Sequence, residues 1–369
     1  MSVKSVAILR KKILPLSETF VSEQACSLHE WTPALAGFQQ VRDGVETSCA
    51  TSIIFGVSDN YFKNTEKKIR FYLNKPIPRL VRFLADNKFD IVHVHFGVDA
   101  VDMWPSVAKL GLPMVVTLHG YDIDRDFAWW RSGKGGYRRR SYPDRLLEIS
   151  ENESVQFVVV SEYIRQRAIS QGIPPDKVSL AYIGVDTEKF FPGLVPVENR
   201  ENIVLYVGRM VENKAPVLLI NAIAQLRDRV PDIKLVMIGG GPLLKEVDAI
   251  AESVGSFVMC LGPQPHHQVR AWLDEAKLLC LPSNKVSNGA SEGFGQVLLE
   301  AQACGVPVVG ARVGGIPEAL QEGKTGFLFS PGCVKELQEM LLNILLSEKK
   351  YLSAMSSSAR YFSENKFNI

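Results

Sequence analysis

The sequence predicts an α/β protein of two domains, each built on a parallel sheet covered by helices on both faces. Three observations predict it. Short Val/Ile/Leu-rich runs are continuous rather than alternating, as in strands buried on both sides. Helix-period stretches separate them, and strand–helix–strand repetition is the pattern of parallel sheets. The length, 369 residues, is too great for one ordinary domain and suits two. Hydrophobic residues at 46% and charged residues at 22% exclude a disordered chain.

In the first half the expected strands are Val6–Leu9, Ser52–Phe55, Ile91–His95, Met114–Leu118 and Phe157–Val160. In the second they are Ile203–Val207, Lys234–Ile238, Phe257–Leu261, Leu278–Leu281 and Val306–Val309. Amphipathic helices are expected at Val217–Arg229, Leu243–Val254, Gln268–Ala276 and Gln296–Cys304. Between Asp186 and Arg200 the run Phe190-Phe191-Pro192-Gly193, Pro196 and a polar stretch break the pattern, which is linker chemistry. The domains are therefore expected at 1–190 and 200–335, with a helical tail over 336–369.

Charge distribution says more than the net charge of +2. Residues 63–82 hold seven Lys/Arg, and residues 125–145 another seven. Both stretches are interleaved with aromatics, among them Phe71, Tyr72, Trp129, Trp130, Tyr137 and Tyr142. Such surface suits an anionic membrane face or a polyphosphate, since charge attracts headgroups while rings settle at the interface. A solvated face with some rings in the core is the plainer alternative. Cys26, Cys49, Cys260, Cys280, Cys304 and Cys333 show no CxxC pair or metal-ligand spacing, so reduced thiols are expected. No apolar run approaches the roughly 18 residues of a spanning helix, and Val6–Leu9 is too short for a signal-peptide core. A cytoplasmic protein, peripheral on the inner face of the membrane, is expected, with no nucleic-acid partner.

The strongest site signal runs from Ser291 through Glu292-Gly293-Phe294-Gly295-Gln296-Val297 to Glu300. It follows the strand Leu278–Leu281, at whose carboxyl end open α/β sheets bind ligands. Gly293 and Gly295 remove side chains where the helix begins, so free amides can approach an anion. Glu292 and Glu300 then offer acceptor-only carboxylates for vicinal hydroxyls of a sugar and a ribose. After Ile203–Val207 comes Gly208-Arg209 with Lys214: a planar fork and a point charge that would neutralise a leaving diphosphate. Gly239-Gly240-Gly241-Pro242 reads as a tight turn with Gly240 near a nucleotide; it is not GxGxxG, and no GxxxxGK[ST] occurs. In the first half Thr117-Leu118-His119-Gly120-Tyr121-Asp122 ends a strand, placing His119 at a sheet edge. Two D-x-D patterns, Asp122–Asp124 and Asp124–Asp126, read as a solvated loop, so no metal is expected there. His93 and His95 share a strand face without a third ligand, and packing or hydrogen bonding is expected of them.

These residues resemble family-4 retaining glycosyltransferases of the GT-B fold, in which two Rossmann-like domains face a central cleft. Glu292 to Glu300 is similar to that family's E-x7-E motif. Gly208-Arg209 with Lys214, Gly239–Pro242, Thr117–Asp122, Gly184-Val185-Asp186 and Gly314-Gly315-Ile316-Pro317-Glu318 resemble its blocks in order. Leu14–Phe20, His95-Phe96-Gly97 and Asn288–Gly293 resemble the branch serving bacterial exopolysaccharide assembly, the colanic-acid-type enzymes. The resemblance implies Arg209 and Lys214 on the donor diphosphate, Glu300 on the ribose, Glu292 on the transferred sugar and His119 near its 6-position. It implies retention without a divalent metal, and no cofactor beyond a nucleotide diphosphate sugar, UDP- or GDP-linked. The acceptor would be a saccharide or a polyprenyl-diphosphate-linked saccharide. Where many relatives carry Gly-Gly after the first strand, this chain reads Leu14–Thr19, so Ser17, Thr19 and Asp122 are the expected acceptor contacts. The chain stops at Ile369, so a shortened closing segment is expected. A nucleotide-sugar epimerase of the same fold would need no acceptor site, and a non-catalytic binding module would be indifferent to loss of Glu292 or Lys214.

Overall fold

The structure, a computed structural model, describes residues 4–13, 15, 18–40, 51–54, 70–71 and 73–369. It divides into two compact units, Met1–Tyr182 and Ile183–Ile369. The first unit contains β1 (Lys4–Ile13), β2 (Trp31–Gln40), β3 (Thr51–Ile54), β4 (Ile91–His95), β5 (Met114–Leu118), β6 (Val155–Val159) and β7 (Val178–Leu180). They form one sheet in the order β3-β2-β1-β4-β5-β6-β7, with every pairing parallel. The second unit contains β8 (Ile203–Val207), β9 (Lys234–Ile238), β10 (Val258–Cys260), β11 (Leu278–Leu281), β12 (Val308–Ala311) and β13 (Gly326–Phe329). Their order is β10-β9-β8-β11-β12-β13, again parallel throughout.

Both sheets are doubly wound. The strand order reverses between β1 and β4 in one unit and between β8 and β11 in the other. A crevice opens at such a reversal, outside the carboxyl ends of the strands, because neighbouring connections leave on opposite faces. The continuous apolar runs are buried as that architecture requires: all four residues of β11 and of β12 are inaccessible. In the second unit Leu235, Leu278 and Val309 from the sheet pack with Leu219, Ile223 and Leu341 from its helices.

Three strands lack the expected signal. β2 carries Pro33 and Gly37 inside the run, residues that argue against a strand from sequence alone. β7 and β13 are three and four residues long, and neither is a continuous Val/Ile/Leu run: Ser179 interrupts the first and Gly326 opens the second. The expected linker is also part of the second unit. Arg200, 8% exposed, donates to the carbonyls of Val195, Leu273 and Ala276. Arg360, on the helix Lys349–Phe367, donates to the carbonyls of Thr187, Phe190 and Ala303. Val185 N–H donates to Phe367 O at 2.8 Å. These bonds move the division ahead of 186–200. They also make the expected tail integral: Phe362 and Phe367 are buried, and Ser363 Oγ donates to Leu299 O at 3.1 Å.

Reduced thiols hold at Cys260, Cys280, Cys304 and Cys333 but not at Cys26, which is disulfide-bonded. Spacing rules detect local pairs, whereas a disulfide joins residues that only folding brings within reach. Among the described residues no helix is long and apolar enough to cross a membrane.

Candidate active site

In the second unit the loops that follow β8, β9 and β11 meet at the carboxyl edge. Gly239 sits so near the β8 loop that an added Cβ would lie 1.9 Å from Gly208 O; only glycine permits the approach. Gly208 N–H donates to Ile238 O and Met210 N–H to Gly240 O, both at 2.9 Å. The Gly239–Pro242 turn thereby clamps Gly208–Met210 and aims the cations beyond it. Gly314 does the same for the acidic loop, since its Cβ would lie 2.0 Å from Glu292 O, and Gly315 N–H donates to that carbonyl at 2.9 Å.

Held this way, Lys214 and Glu292 form an ion pair with side chains 18% and 13% exposed. Ser283 Oγ, at the end of β11, donates to Glu292 Oε2 at 3.2 Å. Asn213 ties the two loops together: its Nδ2 donates to Ser291 O at 3.2 Å, and its carbonyl accepts from Asn284 N–H at 2.8 Å. Tyr206 OH donates to Arg209 O at 3.0 Å; burial, with Glu292 nearby, raises its phenol. Arg209 itself is exposed. Helix Gln296–Ala303 starts from Gly295, whose φ is 95°, and Gln296 Nε2 is buried without a hydrogen-bond partner. Val297 is half-buried. Glu300 is 7% exposed, and burial pushes its carboxyl up to about 7. Phe294, expected at the donor, leaves only its backbone for such a contact. It is 2% exposed with its ring 5.6 Å from that of Phe367, so it packs the core beneath Gly293.

Sequence reading missed Ser283 and Asn213 because neither carries a charge or a motif of its own, although Asn213 stands beside Lys214. The signal available was position alone: each follows a strand that flanks the reversal.

In the first unit His119 directly follows β5, beside a buried ionic cluster. Arg10, 8% exposed, pairs with Glu18 at 2.7 Å and with Asp99. Its guanidinium lies 4.3 Å over the Phe96 ring, and that ring lies 4.6 Å from His119. His119 Nε2 meets His95 Nδ1 at 3.0 Å, while His93 Nε2 meets Thr117 Oγ1 at 2.7 Å. Burial first, then the Arg10 charge, holds His119 well below the usual imidazole value. His93 falls to about 4 by burial alone. The expectation that His93 and His95 hydrogen-bond at the sheet edge describes what is seen, though the link from His95 to His119 was not foreseen.

Asp122 is corrected as an acceptor contact. It is fully buried, with Oδ2 accepting from Gly97 N–H at 2.8 Å and Oδ1 from His119 and Gly120 N–H at 3.2 and 3.0 Å. Burial nevertheless pushes it up to about 6, against those amide bonds. It staples the β4 and β5 loops together and has no free face. The rest of the D-x-D loop is likewise engaged: Asp124 accepts from Tyr163 OH at 2.6 Å, and Asp126 pairs with Arg167 at 2.8 Å. Thr19 opens helix Thr19–Cys26 and is 8% exposed; Ser17 lies outside the described residues.

The basic stretches divide between surface and interior. Residues 63–69 and Tyr72 lie outside the described residues. In the second stretch Arg139 and Arg145 turn inward to Asp102 at 3.1 and 3.7 Å, and Trp130 and Tyr142 are core residues. Lys134, Arg138 and Arg140 are exposed, as is Tyr137 at 69%.

Residues 189–362 match the family model described as glycosyl transferases group 1, and residues 42–189 match the one described as glycosyltransferase family 4. A D-inositol 3-phosphate glycosyltransferase of Rhodococcus opacus (strain B4) is 29% identical over 301 residues, 75% of this chain and 64% of that protein. A GDP-mannose-dependent alpha-(1-6)-phosphatidylinositol monomannoside mannosyltransferase of Mycolicibacterium smegmatis is 29% identical over 298 residues, covering 77% and 74%. The chain thus spans under two thirds of the length of the first of these relatives. Among solved structures, Anabaena HepE in complex with UDP and glucose superposes with a TM-score of 0.78 at 18% identity, over 99% of this chain and 96% of that one. At that identity the likeness shows the fold, GT-B.

Proposed function

Because the chain belongs to the family-4, group 1 glycosyltransferases, we propose that it moves a sugar from a nucleotide diphosphate sugar to a saccharide or polyprenyl-diphosphate-linked acceptor. The reading is of a retaining, metal-independent hexosyltransferase of cell-surface polysaccharide synthesis. Its donor is a UDP- or GDP-linked sugar. The relatives support this class, one named for a GDP-mannose donor and one crystallised with UDP and glucose.

The single observation that carries the reading is the Lys214–Glu292 pair at the strand-order reversal of the second unit. An ammonium there stabilises negative charge as it develops on a departing diphosphate, and in a partly desolvated place that interaction is strong. Arg209 supplies the planar fork. Glu292 keeps an oxygen for sugar hydroxyls while Ser283 holds the other. Glu300 receives the ribose hydroxyls, and the orphan amide of Gln296 supports an acceptor arriving from a ligand. With no carboxylate assigned as base, the leaving phosphate takes the proton of the incoming hydroxyl, and His119 contacts the transferred sugar. Thr19 and Ser17 are assigned to the acceptor. Lys134, Arg138, Arg140 and Tyr137 form the membrane-facing surface of a cytoplasmic, peripheral enzyme.

The test is a thermal-shift screen against UDP- and GDP-sugars, since a ligand that binds only the folded state raises its stability with affinity. It is followed by donor-plus-acceptor assays of wild type and Lys214→Ala. Stabilisation by one nucleotide class, and transfer lost in Lys214→Ala, is expected. If no nucleotide shifts the melting temperature, the reading fails.

A further inference from the structure

His93 and His95 alternate on β4, Thr117 lies on β5 beside it in register with His95, and His119 follows immediately after the last residue of β5. Parallel pairing therefore sets all four side chains in one patch on one face of the sheet at its carboxyl edge. Within it His95 Nδ1 lies 3.0 Å from His119 Nε2. The ring planes are only 25° apart with centroids 5.2 Å apart; at that nitrogen–nitrogen distance the rings meet edge to edge, in the geometry of an N–H···N bond.

Such a bond needs one proton, carried by one ring and accepted by the other, so it couples the tautomers of both. The outer nitrogens, His119 Nδ1 and His95 Nε2, are buried without a hydrogen-bond partner. Phe20 and Phe96 contact the His119 ring, each with its centroid 4.6 Å away, and fix its plane. His93, bonded to Thr117, packs 4.4 Å from the His95 ring. Burial first of all, then the neighbouring imidazoles and the guanidinium of Arg10, itself bound by Glu18 and Asp99, oppose a second proton on either imidazole.

We propose that His95 is a positioning residue for His119. By occupying Nε2 it fixes the ring's orientation and tautomer, and it leaves Nδ1 as the nitrogen that meets an oxygen of the substrate. The inference rests on the proposed contact of His119 with the transferred sugar, and it adds the residue that prepares that contact.

The test uses the full chain labelled with nitrogen-15 in its histidines, with the His119 signals assigned through His119→Gln. In wild type without substrate, His119 shows the ring shifts of one neutral tautomer across about pH 6–8, the interval in which a free imidazole would titrate. In His95→Phe those shifts become the average of two tautomers. The turnover number falls about tenfold or more, because a small misplacement of a substrate-contacting group costs that much, while the donor KM stays within about twofold, as expected when ground-state binding is untouched. His95→Asn, whose amide sits at the δ position, restores both; His95→Gln serves as the second removal variant if the Phe substitution does not fold. An unchanged tautomer signature in folded His95→Phe or His95→Gln overturns the proposal, and so does a folded His95→Asn that behaves like them. Full activity in His119→Ala would instead remove the parent reading. The two failures are told apart because the tautomer is read without substrate.

Discussion

Replacing Glu300 by Gln should stabilise the ligand-free protein at alkaline pH while weakening its grip on the nucleotide. Glu300 is 7% exposed, and burial moves its carboxyl from 4.5 to about 7. Because the folded-state value lies above the unfolded one, folding favours the neutral acid. That contribution is fully present below pH 4.5 and is lost as pH rises through about 7. At about pH 8 the wild-type protein therefore carries an ionised, buried carboxylate at a cost of about 3 kcal/mol, at roughly 1.4 kcal/mol per pH unit. Glutamine carries no charge, so Glu300→Gln should be up to about 3 kcal/mol more stable at that pH. For a unit of this size that is about 6–12 °C in melting temperature, shrinking towards zero near pH 4.5. In the proposed function, however, the carboxylate receives the ribose hydroxyls, and hydrogen bonds to charged groups contribute about 1.5–3 kcal/mol. UDP or GDP affinity should fall about tenfold or more in the variant, and in wild type it should weaken as pH drops below about 7. Thermal melts of both proteins between about pH 5 and 8, with titration calorimetry of the nucleotide, measure both effects. A stability difference that does not change with pH would refute the raised carboxyl, and unchanged nucleotide affinity would refute its role on the ribose.

The diphosphate assignment predicts that Lys214→Ala and Arg209→Ala each lose about 2–4 kcal/mol of transition-state stabilisation, read as kcat/KM. Exposed Arg209 should leave the melting temperature unchanged, whereas Lys214→Ala strands Glu292 and should lower it. Full activity in either variant contradicts the assignment. Chelation with EDTA should leave transfer nearly intact, because the D-x-D carboxylates already bond to Tyr163, Arg167 and backbone amides; abolition would return a metal to that loop. Joint replacement of Lys134, Arg138 and Arg140 by Ala should reduce sedimentation with anionic vesicles in low salt. Arg139 is spared because it pairs with Asp102, and unchanged sedimentation removes the membrane surface.

Much of this molecule is legible in one dimension. Strands Ile91–His95, Met114–Leu118, Ile203–Val207, Lys234–Ile238 and Leu278–Leu281 appear at the bounds their apolar runs predict. The reason is that burial on both faces writes itself into consecutive residues. The glycines at 239, 240 and 241 marked a turn because missing side chains are a local property. The acids, cations and helix start of the second unit could be nominated because the carboxyl ends of strands can be found without knowing the sheet order.

What those residues touch was decided only in three dimensions. Lys214 and Glu292 are 78 positions apart and pair because β8 and β11 are neighbours in the sheet. Asp122 reads like a loop carboxylate, but three backbone amides close around it. Arg138 and Arg139 are adjacent in sequence, yet one is exposed and the other faces Asp102. The Glu300 carboxyl owes its raised value to burial, which its helix alone does not disclose. Secondary structure follows from the periodicity of a segment with itself, whereas partners, protonation and exposure follow from strand order and register, which bring distant segments together.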